Sequence, residues 1–207
     1  MKAIRYLFII CSLFMFAVRP MGHASDQTSQ TDPSGGWDSQ IGSLSLMLAG
    51  DALSFSYSAV FGPSAHTCDG AGVARLVTKG RYEYEDEDEN GKTIAFLISK
   101  DEVRMEILSG SVSFCGAGWQ GDIFKRDGYK PAERCKVTAE RSYFYAADKF
   151  PPEKRKAYVI SGDTVEVLPV RSEGGDDYVL ARFKGSKSST VGLIRKETLD
   201  CIRKQVK

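Results

Sequence analysis

Leu44-Ser45-Leu46-Met47-Leu48-Ala49-Gly50-Asp51-Ala52-Leu53-Ser54-Phe55-Ser56-Tyr57 is the stretch that decides the fold class. Leu44, Leu46 and Leu48 alternate with Ser43, Ser45 and Met47. After the turn pair Gly50-Asp51, Leu53, Phe55 and Tyr57 alternate with serines. A period of two puts one set of side chains on a buried face and the other opposite it, so the stretch predicts a β-hairpin.

Working outward, the same texture continues. Gly72 to Leu76 and Gly80 to Tyr84 are short extended pieces, and Thr93 to Ile98 and Val103 to Leu108 are strands around the turn Lys100-Asp101-Glu102. Asn90-Gly91, between Glu83-Tyr84 and Thr93, is the strongest short hairpin signal. Gly116 to Phe124 reads as a glycine-bent final strand. Seven or eight short strands with no long helical period predict a small antiparallel barrel or sandwich over residues 41–130.

A changeover falls near Lys130-Pro131. Cys135 to Tyr145, Ala157 to Ile160, Thr164 to Leu168, Tyr178 to Phe183 and Thr190 to Ile194 are five further strands, with Ser161-Gly162-Asp163 as a turn. Lys196 to Ile202 can form a helical turn. The expected fold class is therefore all-β, with a small closed barrel at residues 131–207 following the first β domain.

The first 40 residues read differently. Lys2 and Arg5 precede an apolar run from Tyr6 to Val18, and small residues lead to Ala24. This is the layout of a signal peptide over residues 1–24; a membrane span needs roughly 20 apolar residues, more than this run supplies. No stable membrane anchor is expected after cleavage, and the expected location is periplasmic or secreted. Residues 25–40 are polar and rich in breakers, and read as a flexible leader in which Trp37 either anchors to the domain or hangs free.

Cleavage would remove Cys11 and His23, leaving four cysteines and one histidine, His66. An even set in an exported chain predicts disulfides among Cys68, Cys115, Cys135 and Cys201. Three connectivities exist. Cys68–Cys115 with Cys135–Cys201 is favoured because each bridge then stays within one segment. In the chain-entropy account such loops are worth about 4 kcal/mol each. There is no C-x-x-C pair to point to zinc, and no cofactor motif is read. Any Ser-His-Asp or Cys-His chemistry would have to use His66, which sits in a turn-rich stretch two residues before Cys68, so an enzyme is not expected.

The second half resembles a bacterial SH3-like domain over about 135–202. The resemblance rests on Ser142-Tyr143-Phe144-Tyr145, Lys156-Ala157-Tyr158-Val159, Gly162-Asp163-Thr164-Val165-Glu166-Val167-Leu168, Tyr178-Val179-Leu180-Ala181-Arg182-Phe183 and Val191-Gly192-Leu193-Ile194. It implies an SH3-like barrel and a partner-binding groove at Tyr143, Tyr145 and Tyr178, although family members often carry tryptophan where Tyr178 and Leu193 stand. The first half, about 41–126, is similar to the β domain of LprI-type lysozyme inhibitors. That similarity rests on Leu44-Ser45-Leu46, Leu53-Ser54-Phe55-Ser56, His66-Thr67-Cys68, Gly72-Val73-Ala74, Tyr82-Glu83-Tyr84 and Phe114-Cys115-Gly116-Ala117-Gly118. Related sequences often place another cysteine where Lys92-Thr93 stands. Ser109-Gly110-Ser111 is either a plain turn or, by similarity to the serine-glycine loop of other small periplasmic lysozyme inhibitors, a contact with the hydrolase.

Charge separates the halves. Residues 42–130 carry 13 acids and 9 bases, and residues 131–207 carry 11 acids and 16 bases. The acids concentrate in Glu83, Glu85, Asp86, Glu87, Asp88 and Glu89, a cluster that reads as a solvated hairpin tip or as a finger that steers in a basic protein. The whole chain has a formal charge of +1, and no nucleic-acid partner is expected. The expected function is that of a binding protein inhibiting, or conferring immunity to, a cell-wall hydrolase. The alternative is an envelope adaptor that holds peptidoglycan or a peptide through its second half.

Overall fold

A computed structural model describes residues 32–86, 92–110, 112–115, 118–171 and 175–201. These residues form two antiparallel sheets and almost no helix. The first sheet is built from β1 (Gly35–Asp38), β2 (Gly42–Ala49), β3 (Ala52–Phe61), β4 (His66–Thr78), β5 (Arg81–Asp86), β6 (Lys92–Ile98), β7 (Glu102–Ile107), β8 (Asp122–Lys125) and β9 (Tyr129–Lys130). Strands β1 to β8 follow one another as an up-and-down meander, and β9 pairs with the free side of β1. A 3₁₀ turn, Arg126–Gly128, carries the chain from β8 to β9. The sheet thereby curls into a nearly closed barrel whose seam lies between β8 and β1.

The alternating apolar side chains of the deciding stretch all point into this barrel. Leu44, Leu46, Leu53, Phe55 and Tyr57 are buried there with Tyr82, Ile94, Phe96, Val103, Met105 and Phe124. Large rings leave room only if a neighbouring strand carries no side chain. On β4, a Cβ at Gly70 would fall inside the Phe114 ring, and one at Gly72 would strike Tyr84 and Phe55. The glycines that interrupt the sequence pattern therefore sit inside one 13-residue strand, where Gly72–Leu76 alone reads as a short piece.

The second sheet comprises β10 (Glu133–Val137), β11 (Arg141–Tyr145), β12 (Lys154–Ile160), β13 (Thr164–Pro169), β14 (Tyr178–Lys184), β15 (Ser189–Arg195) and β16 (Leu199–Cys201), in the order β12-β11-β15-β14-β13-β10-β16. A second 3₁₀ turn, Lys196–Thr198, precedes β16. Its inner face buries Val137, Phe144, Val159, Val165, Val167, Val179, Ala181 and Ile194. Ser142 Oγ and Thr198 Oγ1, 2.6 Å apart, tie β11 to the turn before β16 and hold the sheet curled.

The strand order corrects one expectation. The described part of the leader expected over 25–40 is not loose: Gly35–Asp38 is a barrel strand, and Trp37 anchors to the domain, 1% exposed, with its indole N–H donating to the Pro33 carbonyl at 2.9 Å. The serine side of the deciding hairpin does not face water. Ser45, Ser54 and Ser56 are buried beneath the second sheet. Ser45 Oγ donates to the Pro169 carbonyl at 2.8 Å, and the Arg171 N–H donates to Ser56 Oγ at 2.6 Å. Small hydroxyl side chains let the sheets approach closely while satisfying the backbone that crosses between them. Met47 projects from the same face into Leu168, Leu180, Leu193 and Ala147.

Both disulfides have the favoured connectivity, Cys68–Cys115 and Cys135–Cys201. The first pins the long β7–β8 connection onto β4. The second joins the neighbouring strands β10 and β16, whose Cys135 and Cys201 are register partners.

Candidate functional site

The barrel interior holds side chains rather than a lumen, so recognition falls to the barrel ends and outer faces. One end collects most of the chemistry. There β1 turns into β2 at Ser39–Ile41, β3 turns into β4 ahead of His66, β5 finishes at Asp86, β6 begins, and β7 runs out into the connection carrying Ser109 and Gly110. The end thus brings Glu85, Ser109, Gly110 and His66 to one side of the barrel. Glu85, Ser109, Gly110 and His66 are exposed, and His66 lies against Phe61 with ring centroids 5.7 Å apart. Glu87, Asp88, Glu89, the Asn90-Gly91 turn and Ser111 lie outside the described residues.

Asp86 departs from its expected role. It is 2% exposed, and its carboxylate accepts the Ser113 N–H at 2.7 Å, binding the β7–β8 connection to the end of β5. Its carboxylate holds the loops in place, and Glu85 before it is the exposed acid at the described end of β5. Along a strand consecutive side chains point to opposite faces, so a run of acids always sends some of them inward.

A polar network that sequence reading missed lies beside this end, on the seam. Asp122 at the start of β8 is 9% exposed. Its Oδ2 accepts from Ser39 Oγ at 2.8 Å and from the Tyr57 hydroxyl at 3.0 Å, and its Oδ1 accepts the Ile123 N–H at 2.7 Å. Trp119 Nε1 donates to the Tyr57 oxygen at 3.3 Å. Burial pushes the Asp122 carboxyl above its ordinary range against the pull of these hydrogen bonds. Burial, followed by the adjacent Asp122 charge, pushes the Tyr57 hydroxyl up, so Tyr57 remains a donor. The network bridges β8, β3 and the β1–β2 turn where no backbone ladder joins β8 to β1. An open cleft of about 740 Å³ runs along this seam past Asp38, Ser39, Asp122, Lys125 and Asp127.

The second sheet carries the other candidate surface. Tyr143 and Tyr145 project from β11 on the side opposite Phe144, and the structure sets each beside another tyrosine. Tyr143 lies 5.7 Å from Tyr158 of the edge strand β12, and Tyr145 lies 5.3 Å from Tyr178 of β14. Cations cover the rings: Lys154 Nζ is 3.5 Å from the Tyr143 centroid, and the Arg141 and Arg195 guanidinium carbons are 5.2 and 6.0 Å from Tyr158 and Tyr178. The Arg195 guanidinium is pushed up by its hydrogen bond to Tyr145, then by Glu197. Tyr158 is 47% exposed. The Tyr143–Tyr158 pair is open to solvent, whereas Tyr145 and Tyr178 lean toward the first sheet.

Among the described residues, the metal-ligand atoms that come within 4.8 Å of one another belong to Glu133, Cys135 and Cys201. Cys135 and Cys201 are bonded to each other and offer no thiolate. No described helix is long and apolar enough to cross a membrane.

These features define the class: an all-β chain of two joined antiparallel sheets, each closed by its own disulfide, which fits an oxidising, extracellular environment. Compared with family models, curated proteins and solved structures, the chain matches none.

Proposed function

We propose that this chain is an exported bacterial binding protein that inhibits, or confers immunity to, a cell-wall hydrolase, acting in the periplasm or outside the cell. The observation that carries the reading is the convergence at one barrel end. A disulfide and the buried Asp86 carboxylate fasten the β7–β8 connection, which carries the exposed Ser109 and Gly110, to β4 and to the end of β5, where Glu85 is exposed. The acids that the sequence concentrates from Glu83 to Glu89 suit electrostatic steering of a basic enzyme to this end. The similarity of residues 41–126 to the β domain of LprI-type lysozyme inhibitors points the same way. The signal-peptide pattern at residues 1–24 supports export.

The test is clearing of purified cell walls by lysozyme-type and amidase-type hydrolases, with and without the purified protein. Slowing of one class at low salt supports the reading. Full activity of every hydrolase at saturating protein removes it.

A second reading has its own observation. The Tyr143–Tyr158 pair, with Lys154 and Arg141 on its rings, suits stacking on a sugar or aromatic group beside an anion. This supports an envelope adaptor that holds peptidoglycan or a peptide through an SH3-like second sheet. Retention of the full chain on isolated cell-wall sacculi, without any effect on hydrolases, would favour it.

A further inference from the structure

The groove where the two sheets meet contains a pocket that neither reading uses. It has a volume of about 360 Å³, with Ala49, Ala52, Val73, Ala146, Ala147 and Val191 as apolar walls. Its polar groups come from both sheets. Arg75 lies on β4 opposite Ala52 of β3, and Arg155 lies on β12. Asp148 and the hydroxyl residues Ser54, Ser189 and Thr190 complete the lining.

Charge pairing sets this pocket apart. Ion pairs occupy Arg81, Arg104, Arg182 and Arg195 elsewhere, yet among the described residues neither Arg75 nor Arg155 has a carboxylate within salt-bridge distance, and Asp148 has no cation within it. Arg155 is nonetheless held in place. One guanidinium nitrogen donates to the Val191 carbonyl at 2.5 Å, and the side chain passes over Gly192. A Cβ on Gly192 would come within 3.1 Å of that nitrogen and 2.7 Å of the Tyr145 carbonyl oxygen. The missing side chain on β15 thus makes room for a guanidinium whose remaining N–H groups are free for another acceptor. The positioned Arg155 guanidinium, with Arg75 lining the same pocket, is suited to grip a planar anion, and the Asp148 carboxylate there is suited to an ammonium.

We propose that this intersheet pocket binds a small zwitterion, an amino acid or a short peptide with free ammonium and carboxylate groups, its carboxylate held by Arg75 and Arg155 and its ammonium by Asp148. The alanine and valine walls leave space for small apolar side chains only. The inference is independent of which macromolecule the barrel end or the tyrosine surface recognises.

Calorimetric titration of the purified full-length protein with dialanine, at low salt and pH 7, tests it. The expected result is saturable one-to-one binding. Arg75→Met and Arg155→Met should each weaken binding by about tenfold or more with unchanged melting temperature, since Arg75 and Arg155 are exposed. Asp148→Asn should weaken dialanine binding and strengthen binding of acetate, which lacks the ammonium. Absence of saturable dialanine binding overturns the proposal. So does equal binding by the wild type and both arginine variants, or a gain in dialanine affinity on Asp148→Asn.

Discussion

Replacing Arg182 with methionine should loosen the union of the two sheets more than any other single polar substitution. Arg182 projects from β14 and is 6% exposed. Its Nε donates to Glu166 Oε2 at 2.7 Å, and its Nη1 donates to Asp32 Oδ2 at 2.9 Å, Ser34 Oγ at 2.8 Å and the Leu48 carbonyl at 3.1 Å. One guanidinium thus joins the segment before β1, the end of β2 and the neighbouring strand β13. Methionine fills comparable volume and removes every donor. Breaking a buried charge cluster from one side costs about 3–5 kcal/mol. Asp32 is half exposed and can rehydrate, and Glu166 keeps its bond to Lys184 at 2.8 Å, which moves the expected cost to the lower end, about 3 kcal/mol. For a chain of this size that is a fall of about 6–12 °C in melting temperature.

The effect has a pH signature. Both partner carboxylates sit below their ordinary values of 3.8 for Asp32 and 4.5 for Glu166. In each, burial pulls upward and is outweighed: by hydrogen bonds from Ser34 and by Arg182 at Asp32, and by Lys184 and Arg182 at Glu166. Their stabilisation is therefore complete above those ordinary values and is lost as pH falls through the lower folded ones. The gap between wild type and Arg182→Met should be widest near neutrality and shrink in acid. Thermal unfolding followed by circular dichroism at several pH values reads both quantities. A melting temperature within 2 °C of wild type at pH 7, or a gap that widens in acid, would refute the reasoning.

Three further outcomes follow from the same geometry. The stability of the wild type relative to Asp122→Asn should fall between pH 3 and pH 7, because the raised Asp122 carboxyl stabilises fully only below its ordinary 3.8 and loses that contribution as pH rises through its folded value; melting curves at the two pH values check the direction. Tyr57→Phe leaves Asp122 one donor short and should cost about 1–2 kcal/mol by urea unfolding. Replacing Cys68 and Cys115 together with alanine should cost about 2–4 kcal/mol and speed hydrogen exchange of the Asp69 amide, which donates to the Phe114 carbonyl at 3.0 Å.

Much of the fold was legible because period-two patterning survives wherever a strand has one buried side. Leu44 to Tyr57 shows this, and so do Thr93 to Ile98 and Thr164 to Leu168. The pattern separates the two faces of a strand without telling what covers the outer one. Nothing local to Ser45, Ser54 and Ser56 therefore shows that a second sheet covers them. Strand β1 was hidden by its composition, Gly-Gly-Trp-Asp in a polar stretch, with Trp37 as the sole signal of burial. The disulfide pairing followed from domain bookkeeping alone. The Asp122–Tyr57–Ser39 network joins residues far apart in sequence, so no local pattern announces it. The tyrosines fared better: β11 places Tyr143 and Tyr145 on one face by simple alternation, and each finds its ring partner on another strand.

On the proposed reading, the acids at one barrel end draw in a basic hydrolase. Calorimetric titration of the protein with a lysozyme-type enzyme at low salt tests it most directly, alongside the variant carrying Glu85→Lys and Glu87→Lys. The expected result is one-to-one binding that weakens steadily as salt is raised and is lost in the double variant. Absence of binding, or binding indifferent to both salt and the charge reversal, would contradict it.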